Sequence, residues 1–248
     1  MTVAIGLVTG DGAVVATESR TCISPQGLPP RVLSDATQKV FDVAGVAVAT
    51  YGVAFIGGRT IQSHMAELIV DLADLAGHAE VEAIAHQVAE FFDQRLAGAG
   101  AGNAPLGFLL AGAGEGSTAL FEVSVPGSKV HKLGDSSTPT AAWRGQTDVL
   151  RRLVKGVDWD LLLALAPDGP PRQALEQLHP PMTGLEYIIP FDLMNIEDGV
   201  EFARFAIRTT VEAQRFTHGT RAIPGSFPGA GGPVQIAVVT PADGLRLV

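Results

Sequence analysis

The chain has 248 residues, a net charge of −9 and one cysteine, with 46% hydrophobic and 17% charged residues. That balance suits one globular domain spanning 1–248, and the negative charge argues against nucleic-acid or anionic-membrane partners. A single cysteine, Cys22, allows no internal disulfide, no basic leader opens the chain, and no apolar run approaches the ~20 residues of a membrane helix. The expectation is therefore a soluble, cytoplasmic protein with Cys22 as a small buried residue.

The first element predicted is a strand beginning at Thr2 and running through Val3-Ala4-Ile5-Gly6-Leu7-Val8. Gly10-Asp11-Gly12 turns it into a second strand, Ala13 to Thr17, that ends in Glu18-Ser19-Arg20. Gln38-Lys39-Val40-Phe41-Asp42-Val43 leads into a small-residue strand, Val46 to Tyr51, closed by Gly52. The period then changes. Ile61, Met65, Leu68, Ile69, Leu72 and Leu75 predict a helix over 59–76, interrupted by Gly77-His78. Val81, Ile84, Val88, Phe91 and Leu96 predict another over 80–97, stopped by the alternating Gly/Ala run up to Asn103. Strands come next at Leu106 to Gly112, Ala119 to Val125 and Lys129 to Leu133. A helix-like stretch runs through Val149, Leu150, Leu153 and Val154, and the five prolines between Pro167 and Pro181 predict a loop. A long helix over 197–214 carries Val200, Ala203, Ile207 and Val211, and the last strand is Val234 to Val239.

Were Met1 removed, Thr2 would carry a hydroxyl nucleophile and a free α-amine on one residue, the amine titrating near roughly 8 and serving as base. Threonine is small enough at this position for methionine aminopeptidase to act, although many chains begin Met-Thr with no catalytic meaning. The residues downstream of Thr2 are more specific. Thr2, Gly6, Asp11-Gly12, Glu18, Arg20, Lys39 and Phe41, in that order and spacing, resemble the proteasome β-subunit family of N-terminal nucleophile (Ntn) hydrolases, here a divergent bacterial relative. The likeness is strong over residues 1–60 and near the end, and weak over 134–190. It implies an α+β fold, a four-layer αββα sandwich with two antiparallel sheets between helix layers. It implies Thr2 as nucleophile, Lys39 as the cation beside its hydroxyl, and Glu18 as the group that orients Lys39, with Ser19 and Arg20 in support. Backbone N–H groups around Thr50 to Gly52 are the implied oxyanion and substrate site. Val46, Ala47, Ala49 and Val53, small and apolar, point to an apolar substrate side chain. A ring of copies of this chain, a separate ATPase that feeds it, and peptides or unfolded proteins as substrate are implied as well. No cofactor and no metal are expected.

The chain also departs from that pattern. Arg215 is followed by Phe216 where the family carries an aspartate, and a phenyl ring accepts no hydrogen bond from an ammonium. Thr217 and His218 are candidate replacements, and Thr183-Gly184 is a poor match for the family's glycine–serine turn. Gly112-Ala113-Gly114-Glu115-Gly116-Ser117 reads as a β-turn rather than a dinucleotide loop, and the six histidines show no ligand spacing. His64 and His86 read as helix-surface or core-edge residues. Three functions stay open: an N-terminal threonine peptidase, a silent structural or binding relative that keeps the fold, and an Ntn amidase acting on a small-molecule amide.

Overall fold

A computed structural model describes residues 2–24, 27–75, 80–101, 104–114, 116–221, 225 and 227–248. Met1, the Gly77-His78 interruption, Gly102-Asn103 and Glu115 lie outside the described residues, as do Pro25 and Gln26. In chain order the first strands are β1 (Val3–Val8), β2 (Ala13–Glu18), β3 (Thr21–Ile23), β4 (Arg31–Ser34), β5 (Val40–Val43), β6 (Val46–Gly52), β7 (Phe55–Ile56) and β8 (Arg59–Thr60). Then come α1 (Ile61–Asp71), α2 (Val81–Gly98), β9 (Leu106–Gly114), β10 (Ser117–Val125), β11 (Lys129–Asp135) and β12 (Thr140–Gly145). The chain ends with α3 (Asp148–Lys155), α4 (Trp159–Leu165), α5 (Pro170–Met182), α6 (Ile196–Phe216), β13 (Val234–Thr240) and β14 (Gly244–Leu247).

The fold is α+β with antiparallel sheets. One five-stranded sheet has the order β12-β1-β2-β13-β14 and the other β11-β10-β9-β6-β5. Their packing is set by strand alternation. On β1, Val3, Ile5 and Leu7 join an apolar cluster with Leu150 of α3 and Ala203, Ala206 and Ile207 of α6. Ala4 and Val8, on the opposite face, join Ala47 and Ala49 of β6, Leu109 of β9 and Leu120 of β10 in a cluster between the sheets. The outer face of the second sheet meets α1 and α2 through Phe41, Val48, Phe108 and Leu110 against Met65, Leu68, Ile84, Val88 and Phe92. Both faces of β1 and β2 are therefore covered, and all six residues of each strand are buried. Small residues let the sheets approach: a Cβ on Gly6 would lie 2.8 Å from the Leu120 side chain.

The β1–β2 hairpin turns where the sequence predicts, with Thr9 N–H donating to the Gly12 carbonyl at 2.8 Å and Asp11 N–H to the Thr9 hydroxyl at 3.2 Å. The long helix α6 starts at a capping box: Asp198 N–H donates to Asn195 Oδ1 at 2.8 Å and Asn195 N–H to Asp198 Oδ2 at 3.3 Å.

Elsewhere the structure corrects the sequence reading. The Pro167 to Pro181 segment is not a loop, because α5 begins with Pro170 and Pro171 in its first turn, where the missing N–H has no helical partner to lose. Thr140–Gly145 is a strand, and α4 has no counterpart among the expected elements. The helix expected over 59–76 ends at Asp71 and gives way to a 3-10 turn over Ala73–Leu75, leaving Leu75 exposed. Phe92, not Phe91, is the buried aromatic of α2. His64 is a core residue whose Nε2 lies 3.2 Å from the Ile56 carbonyl, whereas His86 is exposed. Among the described residues no helix is long and apolar enough to cross a membrane.

Candidate active site

β1 is second in its sheet, flanked by β2 and β12, so the residue at its start lies where both neighbours end or begin. Thr2 is buried there. Its carbonyl accepts Gln146 N–H at 2.7 Å, just beyond β12. Gly145 has φ +80°, and a Cβ on it would run into that carbonyl, so only glycine fits beside Thr2.

β2 ends beside the same point and delivers Glu18, whose side chain is fully buried. Lys39, just ahead of β5, points its ammonium into the gap. Lys39 Nζ lies 3.0 Å from Thr2 Oγ1 and 2.8 Å from Glu18 Oε1, and it also donates to the Arg20 carbonyl. Glu18 Oε2 accepts Arg20 N–H at 2.6 Å and Gly231 N–H at 3.2 Å. Burial pushes the Lys39 ammonium below the ordinary lysine value and Glu18 above the ordinary carboxylate value, while their mutual attraction opposes both shifts. Removing one partner of such a buried pair leaves the other charge uncompensated.

The three residues expected to act together are thus linked through the Lys39 ammonium. Ser19 and Arg20 frame them instead of touching Thr2. Ser19 Oγ donates to the Asp35 carbonyl at 2.6 Å. Arg20 grips the Asp35 carboxylate through Nε at 2.6 Å and Nη2 at 3.0 Å, which holds Asp35 below the usual carboxylate range.

A cleft of about 170 Å³ opens over Thr2. Leu33, Val53, Phe55, Ile61 and Cys22 supply its apolar walls, and no carboxylate lines it among the described residues. Of the small apolar residues expected to shape it only Val53 does so, since Val46, Ala47 and Ala49 are buried in the clusters on either side of their sheet. Cys22 is half-buried and lines the cleft rather than the core. The amide of Thr50 is already spent on the Lys39 carbonyl at 3.0 Å, and its buried hydroxyl has no partner among the described residues. Gly52 has φ +104°, and a Cβ there would run into the Pro105 carbonyl.

Phe216, expected in the aspartate position, ends α6 and is 76% exposed. Thr217 donates to the Ala213 carbonyl, and His218 is exposed. The residue of this helix end that reaches the Thr2 neighbourhood is Gln214, which donates to Gln146 Oε1 at 2.7 Å. Gln214, Gln146, Gly231, Asp35 and Gln235 are the site residues that sequence reasoning missed. A hint existed only for Gln235, a polar residue in the otherwise apolar strand Val234-Gln235-Ile236-Ala237-Val238-Val239.

No protein-family model matches the sequence. No curated protein matches it either. Solved structures do. Anbu (ancestral beta-subunit) from Yersinia bercovieri superimposes with a TM-score of 0.61 at 13% identity, covering 99% of this chain and 87% of that one. An Anbu (Gly-1) mutant from Hyphomicrobium sp. strain MC1 gives 0.57 at 12% identity, with 100% and 86% covered. Anbu from the same strain gives 0.56 at 12% identity, with 99% and 87% covered. The fold is similar to Anbu. This corrects the family reading drawn from the Thr2-to-Phe41 pattern: the neighbours the structure finds are Anbu proteins, and identities of 12–13% carry the likeness of fold alone.

Proposed function

We propose that this chain is an N-terminal threonine hydrolase that cleaves amide bonds of peptides or unfolded proteins. The observation that carries the reading is the Lys39 ammonium, 3.0 Å from the Thr2 hydroxyl and 2.8 Å from buried Glu18, on the floor of a cleft. With Met1 removed, the Thr2 hydroxyl attacks the scissile carbonyl while its own amine takes the proton. The amine returns that proton to the leaving amine, giving an ester on Thr2, and then deprotonates the water that hydrolyses it. Lys39 stabilises the forming alkoxide, and Glu18 fixes the ammonium in place.

Strand alternation turns the Gly52 amide to the same edge as the Thr50 amide, and Gly52 is our candidate oxyanion donor. The cleft, with apolar walls and no carboxylate among its described residues, favours a neutral apolar substrate side chain over a cationic one. Three apolar clusters, two of them between a sheet and helices and one between the sheets, support a single-domain four-layer αββα sandwich. The description of one neighbour as an ancestral beta-subunit supports a ring of copies in a proteasome-like assembly. A cytoplasmic location and a feeding ATPase belong to the same proposal.

A second reading, a silent proteasome-like relative, is favoured by Phe216, exposed at the helix end where the family carries an aspartate, with the neutral Gln214 in the inward place. The intact mass of the purified protein before and after incubation with a peptide epoxyketone tests both. Loss of Met1 with a stoichiometric adduct supports the hydrolase, since that warhead needs hydroxyl and amine together. Met1 retained with no adduct supports the silent relative.

A further inference from the structure

We propose that Gln214 is a positioning residue for the Thr2 site, closing a ring of hydrogen bonds that holds the nucleophile from two sides. Ala230 N–H donates to Gln214 Oε1 at 3.0 Å. A backbone amide can only donate, so that oxygen is the acceptor and Nε2 is the donor that meets Gln146 Oε1 at 2.7 Å. The amide N–H of the same Gln146 holds the Thr2 carbonyl at 2.7 Å. On the other side, Gly231, the neighbour of Ala230, donates its N–H to Glu18 Oε2. Glu18 Oε1 holds Lys39, and Lys39 returns to the Thr2 hydroxyl.

The hydroxyl is thus set through Lys39 and Glu18, and the main chain of Thr2 through Gln146. Gln214 is the side chain that joins the two arms. Without it, the loop at Ala230 and Gly231 and the turn at Gln146 lose the side chain that couples them, and the hydroxyl loses its alignment to an incoming carbonyl. A neutral amide suits this place, because it gives a donor to one arm and an acceptor to the other, which a carboxylate cannot do while ionised.

The proposal rests on the hydrolase reading, and its test is steady-state hydrolysis of a blocked fluorogenic peptide amide, with the rate of epoxyketone adduct formation measured alongside. Gln214→Met should lower kcat roughly ten- to a hundredfold, the scale of a misaligned reacting group, with KM changed less than about twofold. Gln146→Met removes the acceptor of Gln214 yet keeps the backbone N–H to Thr2, so it should repeat the loss. The double variant should be no slower than Gln146→Met alone, since both break one ring. Gln214→Glu keeps the Ala230 acceptor. It should match Gln214→Met near neutral pH and regain rate relative to the wild type as pH falls and the carboxyl recovers an O–H donor, a signature that a purely structural role does not give. An unchanged kcat in Gln214→Met, or losses that multiply in the double variant, overturns the positioning role and leaves the hydrolase reading intact. A wild-type protein that neither hydrolyses the peptide nor takes up the epoxyketone overturns both. If Gln214→Met fails to fold, Gln214→Glu carries the test through its pH profile.

Discussion

The side-chain carbonyl of Gln235 accepts the backbone amide of Lys39 at 2.8 Å, and that of Val40 at 3.1 Å. Its Nε2 donates to the Thr37 carbonyl at 2.9 Å. One glutamine on β13 therefore fixes the backbone from which Lys39 reaches Thr2. Gln235→Leu should destabilise the fold by about 1–3 kcal/mol, because it strands partly buried backbone donors. Chemical denaturation measures that loss, and an unchanged midpoint would show that the Lys39 segment is held by other contacts.

Thr2→Ala should abolish hydrolysis and leave the fold intact, since among the described residues the side chain it removes has one hydrogen-bond partner, Lys39. Thr2→Ser keeps hydroxyl and amine and should retain partial activity. Turnover by the alanine variant of a peptide that the wild type cleaves would sink the assignment of the nucleophile.

Lys39→Ala should cost at least ~100-fold in rate, the general scale for a preorganised electrostatic group. It should also lower stability by about 3–5 kcal/mol, because Glu18 stays buried without its counter-charge. Lys39→Met with Glu18→Gln should restore part of the stability, because the amide oxygen still accepts the Arg20 and Gly231 N–H groups, and none of the activity. Paired unfolding and rate measurements on the two proteins separate the effects.

Burial holds Lys39 below the ordinary lysine value of 10.5. Between the folded-state value and 10.5 the unfolded chain binds a proton that the folded chain does not, so the contribution of Lys39 to stability rises with pH across that window. Activity should move the opposite way: kcat falls on the alkaline side with a midpoint below 10.5, as the ammonium beside the Thr2 hydroxyl is lost. A rate that climbs through this range would mean that neutral Lys39 acts as a base.

The hydroxyl of Thr50 is buried without a partner among the described residues. Thr50→Val keeps the shape and removes an unsatisfied group, so it should be neutral or stabilising by about 1 kcal/mol. Thermal and denaturant unfolding will check it, and a clear destabilisation would reveal a partner for that oxygen in solution.

The parts of the site legible in the sequence were those that local order encodes. Thr2 and Lys39 sit just ahead of an apolar run and Glu18 closes one, so strand order brought them together. Gln146 and Gln214 were not legible. They are 68 residues apart and meet only because α6 packs across the face of β1 and β2. Phe216 falls in the family's aspartate position by spacing alone, and spacing along the chain cannot show which face of the last turn looks inward, since a displacement of two residues turns a helix face away. In the fold, α5 was missed because prolines were weighed as breakers without regard to their place in the first turn.

Tyr51, a wall of the cleft, lies against Gly107, where an added Cβ would run into its ring. Its hydroxyl donates to Glu122 at 2.7 Å, and Glu122 is gripped on both oxygens by Arg144, which pairs with Ala4 in β1. The cleft wall belongs to one sheet and the nucleophile to the other, and this salt link is the ruler between them. Any slip of one sheet against its neighbour must appear as a change in the width of the cleft, so an occupant wedged against Tyr51 and a load applied to the edge strand β12 push on the same coordinate.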